Sequence, residues 1–148
     1  MVRKITTIEI IPAGNEFPQE HVPVIEEIFA SEGLSARVLK ASYIRKAEGL
    51  PDILTFVLGS FASGRDSWEA FKRALFKTLR FLRETWWQSP KIQLQFREED
   101  TDIVAELPTE NENLIQEAMS KLHDYIDKPA KCSAQMRFDK SSHEWKAG

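Results

Sequence analysis

The residues whose types could do chemistry are few. They are His21, His123 and His143, a lone Cys132, the acidic run Glu98-Glu99-Asp100 with Asp102, and a small-residue turn from Gly59 to Gly64. A zinc-type site needs His or Cys side chains paired at short, regular spacings. No such pair stands here, so His21 and His123 read as surface residues. Cys132 falls on the apolar side of an alternating stretch, with Ala134, Met136 and Phe138, so it reads as a buried thiol. A Cys132–His143 couple would make a nucleophile if the C-terminus folded back. No third group or oxyanion-hole motif accompanies it. The acidic run could hold a hard cation, but it lacks the spacing and turn glycine of an EF-hand loop. It reads as a solvated hairpin tip. The Gly/Ser turn could cradle an anion at a helix start. It lacks the Lys-Ser/Thr of a P-loop, so close helix packing through Gly59 and Gly64 is the expected role. These residues predict no metal, no cofactor and no catalytic group: a protein that is not an enzyme.

A second constellation is basic and aromatic: Arg65, Lys72, Arg73, Phe76, Lys77, Arg80 and Trp87. Arg73, Lys77 and Arg80 lie away from the apolar stripe of their helix, and Lys72 and Arg83 flank it. Phe76 and Trp87 point to a third side. The arrangement is either the solvated flank of a core helix or a surface for an acidic partner or nucleic acid. Nucleic-acid binding through residues 65–83 would be salt-sensitive, because phosphate contacts release counterions. The net charge of −3 argues against general nucleic-acid binding.

These residues must be positioned by a small set of elements. From Ser67, the residues Trp68, Phe71, Leu75, Leu79, Leu82 and Trp86 recur at three and four, the spacing of one helical stripe. Asp66 with Glu69 resembles a capping box, and Pro90 forbids continuation. The preceding run, residues 51–58, predicts a short buried helix. Residues 4–11 predict a central strand covered on both faces, and residues 19–31 a helix stopped by Gly33. Residues 35–44 predict a second strand, which a crossover can place parallel to the first. Residues 91–97 alternate strictly, so Ile92, Leu94 and Phe96 face a core while Gln93 and Gln95 stay wet. Residues 103–107 return as the hairpin partner. Thr109 with Glu112 forms a second capping box for an amphipathic helix ending before Pro129. Residues 131–138 predict a late edge strand.

With 148 residues, 42% of them hydrophobic and 29% charged, the chain predicts one globular domain over residues 1–138 and a polar tail over 139–148. Trp145 in that tail would anchor to the body or to a partner. One cysteine excludes an internal disulfide, and no apolar run would span a bilayer, so a cytoplasmic protein is expected. The expected fold is α+β. Its mixed, largely antiparallel sheet of four to five strands carries the helices, including the long central one, on one face. The C-terminal edge strand could pair two copies into a homodimer.

At Phe56-Val57-Leu58-Gly59-Ser60, through Phe81-Leu82-Arg83 and the hairpin over 91–107, the chain resembles bacterial effector-associated constant component domains. The likeness covers roughly residues 3–127. It implies an opening strand and helix, a Leu-Gly-Ser turn, a long helix ending in basic residues, two strands and a closing helix. Here the long helix carries Phe and Trp where that family favours small residues. The resemblance implies a small accessory protein beside an effector in a bacterial defence or conflict system and brings no catalytic residues. The expected function is therefore a non-enzymatic adaptor for a protein partner. A related form is an immunity protein, for which an acidic chain would suit a basic toxin.

Overall fold

The computed structural model describes residues 7–13, 19–39, 53–59, 64–85, 91–98, 101–108, 111–127 and 133–147. In chain order the elements are β1 (Thr7–Ala13), α1 (His21–Ser31), β2 (Ser35–Val38), β3 (Ile53–Leu58), α2 (Arg65–Thr85), β4 (Lys91–Glu98), β5 (Thr101–Leu107), α3 (Glu112–Asp127), β6 (Ser133–Asp139) and β7 (Glu144–Ala147). The class is α+β, as composition and periodicity predict. Among the described residues the sheet has seven strands rather than four or five, in the order β2-β1-β3-β4-β5-β6-β7. It is evenly mixed rather than largely antiparallel. β1–β2, β3–β4 and β5–β6 are parallel, and β1–β3, β4–β5 and β6–β7 are antiparallel.

Two of the extra strands come from segments with other expected fates. Residues 53–58 form β3 and not a helix. Their burial alternates residue by residue, with Leu54, Phe56 and Leu58 buried and Ile53, Thr55 and Val57 half-buried. Ile, Thr, Phe and Val favour a pleated surface, and a run of six is short for a helix. The polar tail supplies β7. Trp145 is buried, its Nε1–H donates to the Ala118 carbonyl of α3 at 2.8 Å, and its ring lies 5.4 Å from that of Phe138. One large aromatic therefore recruits the segment to the sheet. As a result β6 is not an edge strand; among the described residues β7 and β2 are the edges.

The pleat sorts side chains into two faces. Register places Ile10, Phe56, Leu94 and Ala105 in one row, and all four are buried. The stripe of α2, including Trp68, Phe71, Leu75, Leu79 and Leu82, packs over that face with Ile25 and Phe29 of α1 and Ile115, Met119 and Leu122 of α3. Phe29, Phe56 and Phe71 form the aromatic centre, with ring centroids about 6 Å apart. All three helices thus cover one side, as expected, and Gln93 and Gln95 lie on the other. β1 obeys the same rule: Ile8 and Ile10 are buried while Glu9 is exposed, so it is covered on one face only.

Local chemistry sets the helix ends. Gly33 follows α1 at φ +78°, the left-handed conformation that a Cβ disfavours. Asn111 caps α3, its Oδ1 accepting from the Leu114 N–H at 2.8 Å; Thr109, the expected cap, lies outside the described residues. His21, expected at the surface, is buried and meets the Phe81 ring edge-on at 4.9 Å. His123 stacks at a tilt on Trp68.

The three strand–helix–strand units differ in hand. With β1 and β2 running up, the first unit steps away from β3. The second runs down and steps the opposite way, so a half-turn about the sheet normal relates the two. The third runs up and steps in the direction of the second. With every helix on the same face, the third crossover has the hand opposite to the first two. Since about 98% of such crossovers are right-handed, at least one here departs from the norm.

Candidate protein-binding surface

The basic–aromatic constellation is dispersed by its own ion pairs. Arg65 is exposed at the start of α2. Lys72 Nζ lies 2.9 Å from Glu69 one turn back. Arg73 Nε donates to Glu32 Oε1 at 2.8 Å, and Lys77 Nζ donates to Glu32 Oε2 at 2.6 Å. Glu32 stands just past α1 with its side chain only 12% exposed. Its bonds to Lys77 and Arg73 hold its pKa below the usual carboxylate value. Arg80 makes a two-pronged contact with Glu112 at 2.8 and 3.2 Å, which lowers the Glu112 pKa and raises that of Arg80. Phe76 is half-buried against the core. Trp87 and Cys132 lie outside the described residues. The bases of α2 thus tie it to α1 and α3 through carboxylates at their ends.

The expected acidic tip is described in part: Asp102 lies on β5, and its Oδ1 accepts from Gln95 Nε2 at 3.0 Å. Residues 60–63 of the Gly/Ser turn are outside the described set; Gly64 accepts the Trp68 N–H at 2.9 Å. His143 turns to α3, with Nδ1 2.6 Å from Glu117 Oε1. Among the described residues, no three His, Cys, Asp or Glu side chains gather as a metal site requires.

The surface that sequence reasoning missed is the face of the sheet that the described helices leave open. At its centre Ile11, Thr55 and Val57, with Ile53 beside them, lie next to Gln93, Gln95 and Val104, all half-buried. Register fixes their rows: Val57 faces Gln95, which faces Val104, and Thr55 faces Ile11 on one side and Gln93 on the other. Exposed Glu9, Arg37, Lys91, Arg97, Glu106 and Arg137 surround this strip. Glu9 stands directly opposite Arg37 and Glu106 lies 3.9 Å from Arg137, so with Lys91 and Arg97 these six rim residues are net basic. A partly apolar centre inside a charged rim is the anatomy of a protein interface. The available signal was the alternation of Ile53, Thr55 and Val57 against Leu54, Phe56 and Leu58. It is hidden in sequence because both sets are apolar or nearly so.

A smaller apolar feature lies on the outer side of α1. A shallow depression there is lined by Pro23, Val24, Glu27, Ile28 and Ser31. Val24 is the one large apolar side chain exposed among the described residues.

Compared with family models, curated proteins and solved structures, the chain matches none.

Proposed function

We propose that this chain is a non-enzymatic binding protein that docks a protein partner on the open face of its sheet. The observation that carries the reading is the half-buried strip of Ile11, Ile53, Thr55, Val57 and Val104, which no described element covers. Among the described residues, helices pack only against the opposite face, and this strip is not part of the core cluster. Its rim of mixed charge would set orientation and suppress wrong partners. The resemblance to effector-associated domains supports an effector or toxin of a bacterial conflict system as the partner, met in the cytoplasm. No helix among the described residues is long and apolar enough to cross a membrane. Nucleic-acid binding through α2 would require Arg73, Lys77 and Arg80 to leave Glu32 and Glu112, so the open face is the preferred surface.

The test is capture from the native cell with tagged wild type and with a Val57→Lys, Val104→Lys variant, each with and without nuclease. A stoichiometric protein partner that survives nuclease and is lost with the variant is the expected result. Capture unchanged by the variant would sink the open-face reading. Capture that vanishes with nuclease would move the interface to α2.

A further inference from the structure

The two edges of the sheet are finished differently. At β2 the Leu39 N–H donates inward to the Ile10 carbonyl at 2.9 Å, so the preceding Val38 N–H faces away from β1. The Glu26 carboxylate reaches over from α1 and accepts that N–H at 3.0 Å. A side chain thus occupies a donor that an incoming strand would use. At β7, ladder pairing runs to β6 alone among the described residues. Every other residue of β7 therefore aims its N–H and C=O outward.

This edge is also held rigid. Trp145 is pinned beneath α3 by its bond to Ala118, and Lys146 Nζ sits 2.8 Å from Asp139 Oδ2 on the neighbouring strand. The turn before it is closed by the His143 N–H on the Asp139 carbonyl at 2.8 Å and the Ser141 N–H on Asp139 Oδ1 at 2.9 Å. A preorganised strand loses little freedom on pairing.

We infer that β7 pairs antiparallel with the β7 of a second copy, with Trp145 on the two-fold axis, so that two seven-stranded sheets become one. The charge pattern selects this register. Residues that face each other across an antiparallel pair share a sheet face. Trp145 points to the covered face, and Glu144 and Lys146 point to the open face. Four registers respect the faces, one for an axis on each residue of β7, and an axis on Ala147 sets neither Glu144 nor Lys146 against a charge of the strand. An axis on Glu144 sets Glu144 against itself, and an axis on Lys146 sets Lys146 against itself. An axis on Trp145 sets Glu144 against Lys146 twice. Opposite charges at facing positions stabilise a pair and like charges destabilise it. Only the Trp145 axis is complementary. The inference does not rest on the open-face reading, because β7 meets its copy through backbone groups at the rim.

Light scattering across a wide concentration range tests it. Wild type should show the mass of two chains at high concentration. Glu144→Lys and Lys146→Glu should each weaken the dimer by about tenfold, since each turns two unlike pairs into like ones. An equimolar mixture of the two variants should recover the dimer, because their charges again face unlike charges. The double exchange within one chain should do the same. Recovery also shows that the single variants are folded. A wild type that stays monomeric throughout overturns the inference. So does dimer mass unchanged in both single variants, or a mixture that recovers nothing. Val57→Lys, on the open face, should leave the dimer intact, which separates failure of this inference from failure of the docking surface.

Discussion

Phe56 and Val57 are neighbours in the chain and opposites in the structure. Phe56 lies at the centre of the covered face with no exposed surface, between Phe29 and Phe71. Val57 lies at the centre of the other face, half-buried, between Glu9 and Gln95. Among the described residues, one face of the sheet is occupied by three helices and the other has only neighbouring side chains. The difference teaches that apolar content alone does not report a role. The same strand supplies the core with one set of side chains and the open face with the other.

The largest test of that contrast is truncation on each side. Phe56→Ala should cost about 3–5 kcal/mol by urea unfolding, because it leaves a cavity among aromatic rings. Val57→Ala should cost about 1 kcal/mol or less, the ordinary range for a position outside the core. Comparable losses at the two positions would mean that the open face is packed in solution. Next in size is Trp145→Phe, which keeps the ring packing and removes the donor to Ala118. We expect a loss of about 1 kcal/mol, with faster amide exchange confined to β6 and β7. Exchange that rises throughout the sheet would make this corner part of the central core.

The smallest effect concerns the ties between helices. Glu32→Gln should lower the thermal midpoint slightly at neutral pH, with added salt shrinking the gap. The Glu32 pKa is lowered in the fold by Lys77 and Arg73. Its contribution is therefore complete above the unfolded carboxylate value and disappears as pH falls through the folded one. Wild type and variant should converge in acid. Asp139 follows the same sign in a wider window, since Lys146 and the Ser141 N–H pull its pKa to about 2. An Asp139→Asn change should loosen the β6–β7 turn at neutral pH and match wild type only below that value. A gap that widened in acid would overturn both assignments.

Much of this architecture was legible in residue order. The stripe of α2, the strict alternation of β4, the C-terminal stop at Gly33 and the one-sided placement of helices all follow from period and cap chemistry. β3 was not legible as a strand, because Leu54-Thr55-Phe56-Val57-Leu58 is apolar on both faces and periodicity cannot separate a strand from a short helix there. β7 was not legible because a single tryptophan in a polar segment does not announce a strand; its burial depends on Ala118, twenty-seven residues away. The basic side chains of α2 were visible in sequence, but their carboxylate partners were not. Glu32 and Glu112 reach them only once three helices lie side by side. The open face escaped for the complementary reason: it is a surface assembled from four strands, each contributing one to three residues.

The order of strands has a consequence for how the chain comes together on the ribosome. After β2 docks on one side of β1, β3 joins the other side of β1, and each later strand joins the free side of the one before it, from β4 through β7. No strand has to be threaded between two that are already paired. Synthesis can therefore extend the sheet one element at a time. Each new segment finds a finished template waiting, and a stalled or shortened chain would retain a sheet with no gap in it.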